Sequence, residues 1–361
     1  MTTGDAPQGR DDGTSGGSGG RPGPPPDDAR PATLRDVATL AGVSVPTASK
    51  ALNGRPDVRE STRRRVEDAA ARLDFTPNTL AQGLSARRSG TVGLLTSDLD
   101  GRFSIPVLMG AEDAFGFERT AVLLCDARGD AIREQHHLRA LLARRVDGLI
   151  VVGERPDVRA SLGRVPVPVV YAYAPSDDPA DCSLVSDHEG AGRLAVEHLL
   201  ATGRRCVGHI SGDPGYGATR DRAEGARAAL ASAGLELAGG RPLLGAWSEE
   251  WGRGATRSLL RAEPGLDAVF AGSDQVARGV LDALREEGRR VPDDVAVVGV
   301  DNWEAVATGA RPALSTVDLD LQHLGRVAAQ RLQAAMGGSP SRGVERLPGR
   351  LVVRASSAPR G

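Results

Sequence analysis

Behind a polar stretch that ends near residue 31, apolar residues begin to recur at helical spacing. Leu34, Val37, Ala38 and Ala41 share one face of a helix that Thr33 opens as N-cap and Gly42 closes, since glycine accepts a positive φ without strain. Ser44 is placed to cap a second helix running to about Asn53, with Pro46 in the first turn, where a missing N–H does no harm. A third helix, roughly Glu60 to Leu73, turns Val66, Ala69, Ala70 and Leu73 inward.

From Gly90 onward the period changes. Apolar, strand-like runs fall at 91–97, 120–126, 147–152, 167–173, 206–211, 267–272 and 294–300, with helical patterns at 131–143, 190–201, 220–233 and 274–287 between most of them. Alternating βαβα units imply parallel sheets covered on both faces. The length suits two such sheets, with a break expected near 175–187, where APSDDPADCS interrupts the alternation, and a return crossing near 312–320. The expected organisation is a disordered tail at 1–31, a three-helix module at 32–76, a linker at 77–90 and an α/β body of two subdomains at 91–361.

Two short helices joined by a glycine turn, with a third behind them, form the helix-turn-helix arrangement. Ala38 and Gly42 are small where the helices meet, and Val43, Ala48 and Ala51 supply the little core. The second helix then presents Val45, Pro46, Ser49 and Lys50 outward for the major groove. Ser44, Thr47 and Asn53 are short donors suited to phosphate oxygens, which position a protein on DNA without reading sequence.

Charge strengthens this reading. The whole chain is near neutral, but Thr33 to Gly90 holds ten Lys/Arg against six Asp/Glu, while the segments on either side are acidic. A basic module on an acidic body suits an anionic polymer. Lys50 is the only lysine in a chain whose other basic residues are arginine. The tail, rich in Gly, Pro, Asp and Ser, is too poor in apolar residues to repay its ordering entropy and lacks a secretory pattern, and no apolar run nears the ~20 residues of a membrane helix. A cytoplasmic protein with no membrane partner is expected. Cys125, Cys182 and Cys206 lack ligand spacing and read as small apolar residues, and the six histidines form no metal set, so no metal is expected. GxSxG, a P-loop and a GxGxxG after a strand are all missing, so no enzyme is expected.

The segment TLRDVATLAGVSVPTASKALNGRPDVRESTRRRVEDAAARLDFTPNTLAQGLSARRSGTVGLL resembles the DNA-binding region of the lactose/galactose repressor (LacI/GalR) family of bacterial transcription regulators, and the likeness extends to about Val353. The resemblance implies base reading by Val45, Pro46 and Lys50. It also implies backbone-contacting or supporting roles for Leu34, Ser44, Thr47, Asn53, Thr62 and Phe75. Pro77, Asn78, Ala81 and Leu84 match a hinge helix whose leucine wedges into the minor groove. Such a helix is too short to stand alone, and Gly83 weakens it by a further ~1 kcal/mol, so it is expected to order only when two copies meet on DNA.

The same resemblance implies a body like the periplasmic sugar-binding proteins, with an effector between two α/β subdomains and no cofactor. Phe103, Asp187, Arg222, Trp247, Ser273, Asp274 and Asp301 match effector-binding positions, with Trp303 a further candidate. Carboxylates and a guanidinium suit hydroxyl pairs, and aromatic faces suit the apolar side of a sugar ring, so a carbohydrate is the expected effector. Departures surround this pocket. Gly101-Arg102-Phe103 stands where Asn-Pro-Phe is frequent, Asp187-His188 where Asp-Asn is common, and Ser273 where Asn is frequent; Arg59 replaces the usual serine at the third helix's N-cap. The implied function is a homodimeric repressor of a palindromic operator in double-stranded DNA, controlled by a small sugar or sugar derivative. The alternative is a regulator whose co-effector is a partner protein, as in the family's catabolite-control branch.

Overall fold

The computed structural model describes residues 32–52, 55, 57–75, 89–97, 103–116 and 120–358. Asn53, the hinge positions Pro77, Asn78, Ala81 and Leu84, and Gly101-Arg102 lie outside the described residues. The chain divides into two compact units, 1–78 and 79–361.

The first unit is a three-helix cluster of α1 (Leu34–Ala41), α2 (Val45–Leu52) and α3 (Glu60–Arg72). Thr33 and Asp36 form a reciprocal capping box: the Thr33 N–H donates to Asp36 Oδ2 at 2.8 Å, and the Asp36 N–H donates to Thr33 Oγ1. Gly42 ends α1 at φ 65°, and Ser44 Oγ accepts from the Thr47 N–H at the start of α2. The core consists of Val37, Ala38, Ala41, Ala48, Ala51, Val58, Val66, Ala69 and Ala70, with Leu34, Leu73 and Phe75 packed on its rim. Alanine-rich contacts let such short helices approach closely. Arg59 caps α3 with no side-chain hydrogen bond, so the first turn of α3 lacks the acceptor that serine supplies.

The second unit carries two six-stranded sheets. In the first, β1 (Thr91–Thr96), β2 (Ala121–Asp126), β3 (Gly148–Val152), β4 (Val169–Ala172), β5 (Cys182–Ser186) and β11 (Gly343–Leu347) run in the order β11-β5-β4-β3-β1-β2. In the second, β6 (Val207–Ser211), β7 (Leu243–Leu244), β8 (Ala268–Ala271), β9 (Ala296–Val300), β10 (Ser315–Asp318) and β12 (Arg350–Val352) run β12-β10-β9-β8-β6-β7. All neighbours pair parallel except β10 with β12. Both are doubly wound, so each has a point, between β1 and β3 and between β6 and β8, where successive connections leave to opposite sides.

Helices α4 (Ser104–Gly116), α5 (Ala131–Ala143) and α11 (Leu321–Met336) serve the first sheet. Helices α6 (His188–Ala201), α7 (Gly217–Ser232), α8 (Glu249–Ala262) and α9 (Asp274–Glu286) serve the second, and α10 (Glu304–Ala307) is a short turn after β9. The strands facing two helical layers read as unbroken apolar runs: every residue of β3, β6 and β9 is buried.

Chain crossings are more numerous than the sequence pattern predicts. The interval 175–187 holds β5, a strand of the first sheet, and the chain crosses only at its end, before α6. It returns between β10 and α11, then passes a third time between β11 and β12. Short strands of mixed composition, GVERL and RLV, give no periodic signal, which is why this last crossing is invisible in the sequence.

Candidate functional site

On α2, Val45, Pro46 and Lys50 are exposed and Ser49 is half-buried on the side opposite the buried Ala48 and Ala51. That division is what a groove-reading helix requires, a flat apolar back and a mixed outer face. Ser44 and Thr47 bond to each other through their hydroxyls at 2.8 Å. Leu34 and Phe75 pack against the core, and Thr62 lies half-buried on α3. Lys50 is not solitary: its Nζ donates to Asp57 Oδ2 at 2.6 Å, and the hydrogen bond holds the Asp57 carboxyl below the usual carboxylate range.

In the second unit the carboxyl ends of the strands of both sheets meet at a cleft. Asp301 follows β9 at φ 106° and Tyr173 follows β4 at φ 71°, a backbone region that non-glycine residues occupy at a cost of order 1–3 kcal/mol. Phe103 stacks on Tyr173, ring centroids 5.0 Å apart. Phe103 also lines one side of the cleft with Asp301, Trp303 and Arg350, a space of about 290 Å³. Another part, lined by Asp157, Ser186, Asp187, His188, Arg220 and Asp221, holds about 390 Å³. Spaces of this size suit a small molecule.

Arg222 is the centre of the cleft wall. It is only 4% exposed, and its guanidinium donates to the Gly272 carbonyl, approaches His188 Nδ1 at 3.2 Å and lies 3.6 Å from Asp301 Oδ1. Two glycines put it there. A Cβ on Gly192 would stand 2.1 Å from the Arg222 carbonyl oxygen, and one on Gly225 would stand 1.9 Å from that of Glu189. With neither Cβ present, α6 and α7 pack backbone to backbone and Arg222 is pressed against the first turn of α6. Trp247 lies over Gly212, where a Cβ would sit 2.1 Å from the indole, and meets Tyr216 edge to face at 5.8 Å.

Several buried polar atoms of this wall have no hydrogen-bond partner: Arg222 Nε, His188 Nε2, Trp247 Nε1, Ser186 Oγ, Ser211 Oγ and Thr219 Oγ1. Buried polar groups are nearly always satisfied in native proteins, so such a cluster at strand ends is a place where water or a ligand can supply the partners. The first sheet closes over it through the loop after β3. Arg155 stacks on the Tyr216 ring at 4.8 Å, and Asp157 Oδ1 accepts from the Gly217 N–H at 2.8 Å.

The predicted effector residues do not all converge. Phe103 and Asp301 line one space and Arg222 meets Asp301, while Trp247 lies against Gly212 and Tyr216. Asp187 lines the cleft, but one carboxylate oxygen accepts from the Gly190 N–H to cap α6. Ser273 is a buried N-cap that accepts from the Val276 N–H, and both oxygens of Asp274 are engaged by Thr316 Oγ1 and the Trp303 N–H. Asp274 holds the Trp303 loop in place, and Ser273 is committed to the first turn of its own helix. Their position after a strand makes them look like ligands; only the fold shows that the helix and loop use them first. His188, Tyr173, Tyr216 and Arg155 were missed. His188 had a visible signal, its departure from the usual asparagine.

No group of three or more His, Cys, Asp or Glu among the described residues is arranged to hold a metal ion. No helix among the described residues is long and apolar enough to cross a membrane. Burial pushes the thiols of Cys125, Cys182 and Cys206 up, consistent with inert packing residues.

The comparison with known proteins agrees with both units. Residues 33–78 match the model of bacterial regulatory proteins of the lacI family, and residues 196–357 match a periplasmic binding protein-like domain. The ribose operon repressor of Escherichia coli (strain K12) is 35% identical over 304 residues, covering 82% of this chain and 91% of the relative. Catabolite control protein A of Priestia megaterium is 30% identical over 331 residues, covering 90% and 99%. The crystal structure of the Lac repressor dimer bound to operator and the anti-inducer ONPF is 29% identical, covers 91% of this chain and 99% of its own, and superposes with a TM-score of 0.72. The relatives are transcriptional regulators and not enzymes. With an exposed outer face on α2 in the first unit and a periplasmic binding protein-like second unit, this chain belongs to the lacI family of bacterial regulatory proteins and is a DNA-binding transcriptional regulator.

Proposed function

We propose that this regulator represses transcription in the cytoplasm as a homodimer on a palindromic operator, and that a small carbohydrate or carbohydrate derivative held in the cleft sets its affinity for DNA. The supporting observations are the set of unpartnered polar atoms around Arg222 and His188 and the aromatic pair of Phe103 and Tyr173 at the strand ends of the first sheet. A ligand with several hydroxyl groups and one apolar ring face satisfies both features. Two-fold symmetry of a dimer is what makes the operator palindromic. For the ligand to act, it must favour one arrangement of the two sheets over another, and the contacts of Arg155 and Asp157 with the start of α7 are elements such a preference would engage.

Proposed residue roles follow from exposure and bonding. Val45, Pro46, Ser49 and Lys50 read bases, and Ser44, Thr47 and Thr62 meet phosphates. Arg222, Asp301, Phe103 and Trp247 hold the ligand. The deciding experiment is a thermal-shift screen of pentoses, hexoses, short oligosaccharides and their derivatives, paired with operator binding by fluorescence anisotropy. A ligand present at a hundred times its Kd stabilises the native state by ~2.7 kcal/mol. No shift with any of them, and no change in operator binding, would overturn the effector reading.

The similarity to catabolite control protein A over 90% of this chain favours a second reading, in which a partner protein acts as co-effector. Restoration of operator affinity by a protein fraction when no sugar has any effect would select it.

A further inference from the structure

We propose that His188 is a specificity-determining residue of this cleft: its Nε2–H is pre-set to donate to an anionic oxygen group, a carboxylate or a phosphate, carried by a sugar-sized ligand. The inference rests on the effector reading and narrows the ligand class within it.

The tautomer follows from the neighbour. Arg222 Nη2 lies 3.2 Å from His188 Nδ1, and a guanidinium has donors only. Nδ1 must therefore accept, and the ring proton belongs on Nε2. Burial first, and the charge of Arg222 second, hold this imidazole well below the usual histidine range, so the ring stays neutral. The residue is 4% exposed, and Nε2 has no partner in the protein. A buried N–H aimed at nothing is a request for an acceptor.

The same bias runs along the wall. Arg222 Nε and Trp247 Nε1 are also buried without a partner, and both can only donate; Ser186 Oγ and Ser211 Oγ can do either. Several carboxylates that would receive a neutral sugar's hydroxyls have partners already: Asp301 faces Arg222, one Asp187 oxygen caps α6, and Asp274 holds Trp303 and Thr316, while Asp221 and the second Asp187 oxygen line the same space as His188. On the loop after β3, Asp157 Oδ2 is an unpartnered buried acceptor for one hydroxyl group, and Asp301 Oδ1 stands 3.6 Å from the Arg222 guanidinium. Open nitrogen donors on Arg222, His188 and Trp247, beside carboxylates that can receive hydroxyls, fit a polyol with an acceptor-only end. An asparagine at 188, with its amide near the ring's Nδ1 position, would reach less far and could present oxygen or nitrogen as needed. Histidine fixes the choice.

The test uses the full-length protein and a matched series: a hexose, its aldonate, its uronate and its 6-phosphate, read by calorimetry. At least one anionic member is expected to bind tenfold or more tightly than the neutral parent, and the carboxylate and phosphate arms tell which source is used. His188→Gln, whose amide nitrogen falls near Nε2, should keep that preference within a few-fold. His188→Asn, which keeps an oxygen for Arg222 but withdraws the distal donor, should lose it at least tenfold. Long-range ¹H–¹⁵N correlation on the free protein should show Nε2 protonated; a proton on Nδ1 overturns the proposal without any ligand. Equal binding of neutral and anionic members overturns it and leaves the effector reading standing. Binding of no member overturns the proposal, and the effector reading falls with it when the wider sugar screen is also silent.

Discussion

Lys50 Nζ and Asp57 Oδ2 are 2.6 Å apart, so the one lysine of the chain, on the outward face of the recognition helix, is held by a carboxylate of the following loop. Both side chains are 55% exposed, so the pair adds little to stability, but it fixes where the ammonium points before DNA arrives. Binding to a guanine edge must exchange Asp57 for the base. Lys50→Ala should cost ~1 to 3 kcal/mol on the operator and little on random DNA. Asp57→Asn should act the other way, raising operator affinity several-fold with almost no change in Tm. Titration on both DNAs checks the two together, and equal losses for Lys50→Ala on both would make Lys50 a phosphate contact.

Arg59 begins α3 without a side-chain cap. Arg59→Ser should stabilise the DNA-binding unit by ~1 kcal/mol, read as a higher melting temperature. It should also weaken nonspecific DNA binding and flatten its salt dependence if Arg59 neutralises a phosphate. An unchanged salt slope would show that the charge is idle.

Arg222 holds three partners at once, and its ion pair with Asp301 is nearly sealed from water. Removing one member of a buried pair leaves the other uncompensated, so Arg222→Ala should destabilise the body by ~3 kcal/mol and abolish the effector response. Urea denaturation gives the first quantity and anisotropy the second. Operator binding without effector should survive, because the recognition helix is in the other unit.

Gly192 tests the route by which Arg222 reaches His188. A methyl group there meets a backbone oxygen, which cannot swing aside. Gly192→Ala should therefore cost ~1 to 3 kcal/mol by overpacking, and it should weaken ligand binding by separating α6 from α7. Gly234, which has open space around its Cβ position, supplies the contrast: its substitution acts through the φ of 69° and should leave ligand affinity alone.

His209 governs the acid limb of stability. It is buried on β6, stacks on Phe270 and bonds to the Phe270 carbonyl through Nδ1 at 2.9 Å; burial lowers its pKa to about 4. The folded value lies below the unfolded one, so the unfolded chain binds the proton first as pH falls. Stability is therefore full above about pH 6.5 and declines toward pH 4, by ~3 kcal/mol for this residue. His188 and His198, both lowered, push in the same direction. Urea midpoints between pH 7.5 and 5.5 should fall in the wild type and fall less in His209→Gln.

Local features of this molecule could be read directly from residue order. The capping box at Thr33 and Asp36, the left-handed Gly42, the inward alanines of α2 and the buried runs of β3, β6 and β9 each depend on a few neighbouring residues and a fixed period. The same logic exposed Val45, Pro46 and Lys50. Likeness to a family then pointed to Arg222, Trp247 and Asp301.

What a side chain does once it reaches the cleft depends on partners far away in sequence. Asp274 has the right residue type in the right place after β8, but Thr316 and the backbone of Trp303 take both its oxygens. The tautomer of His188 is set by a guanidinium 34 residues away, which two glycines bring into reach. The pairing of Lys50 with Asp57 requires a loop to fold back on a helix. Periodicity and capping are near-neighbour physics, so sequence alone determined the elements and their faces. Hydrogen-bond allocation among buried groups is a competition settled by distance in space, and only the tertiary structure decided it.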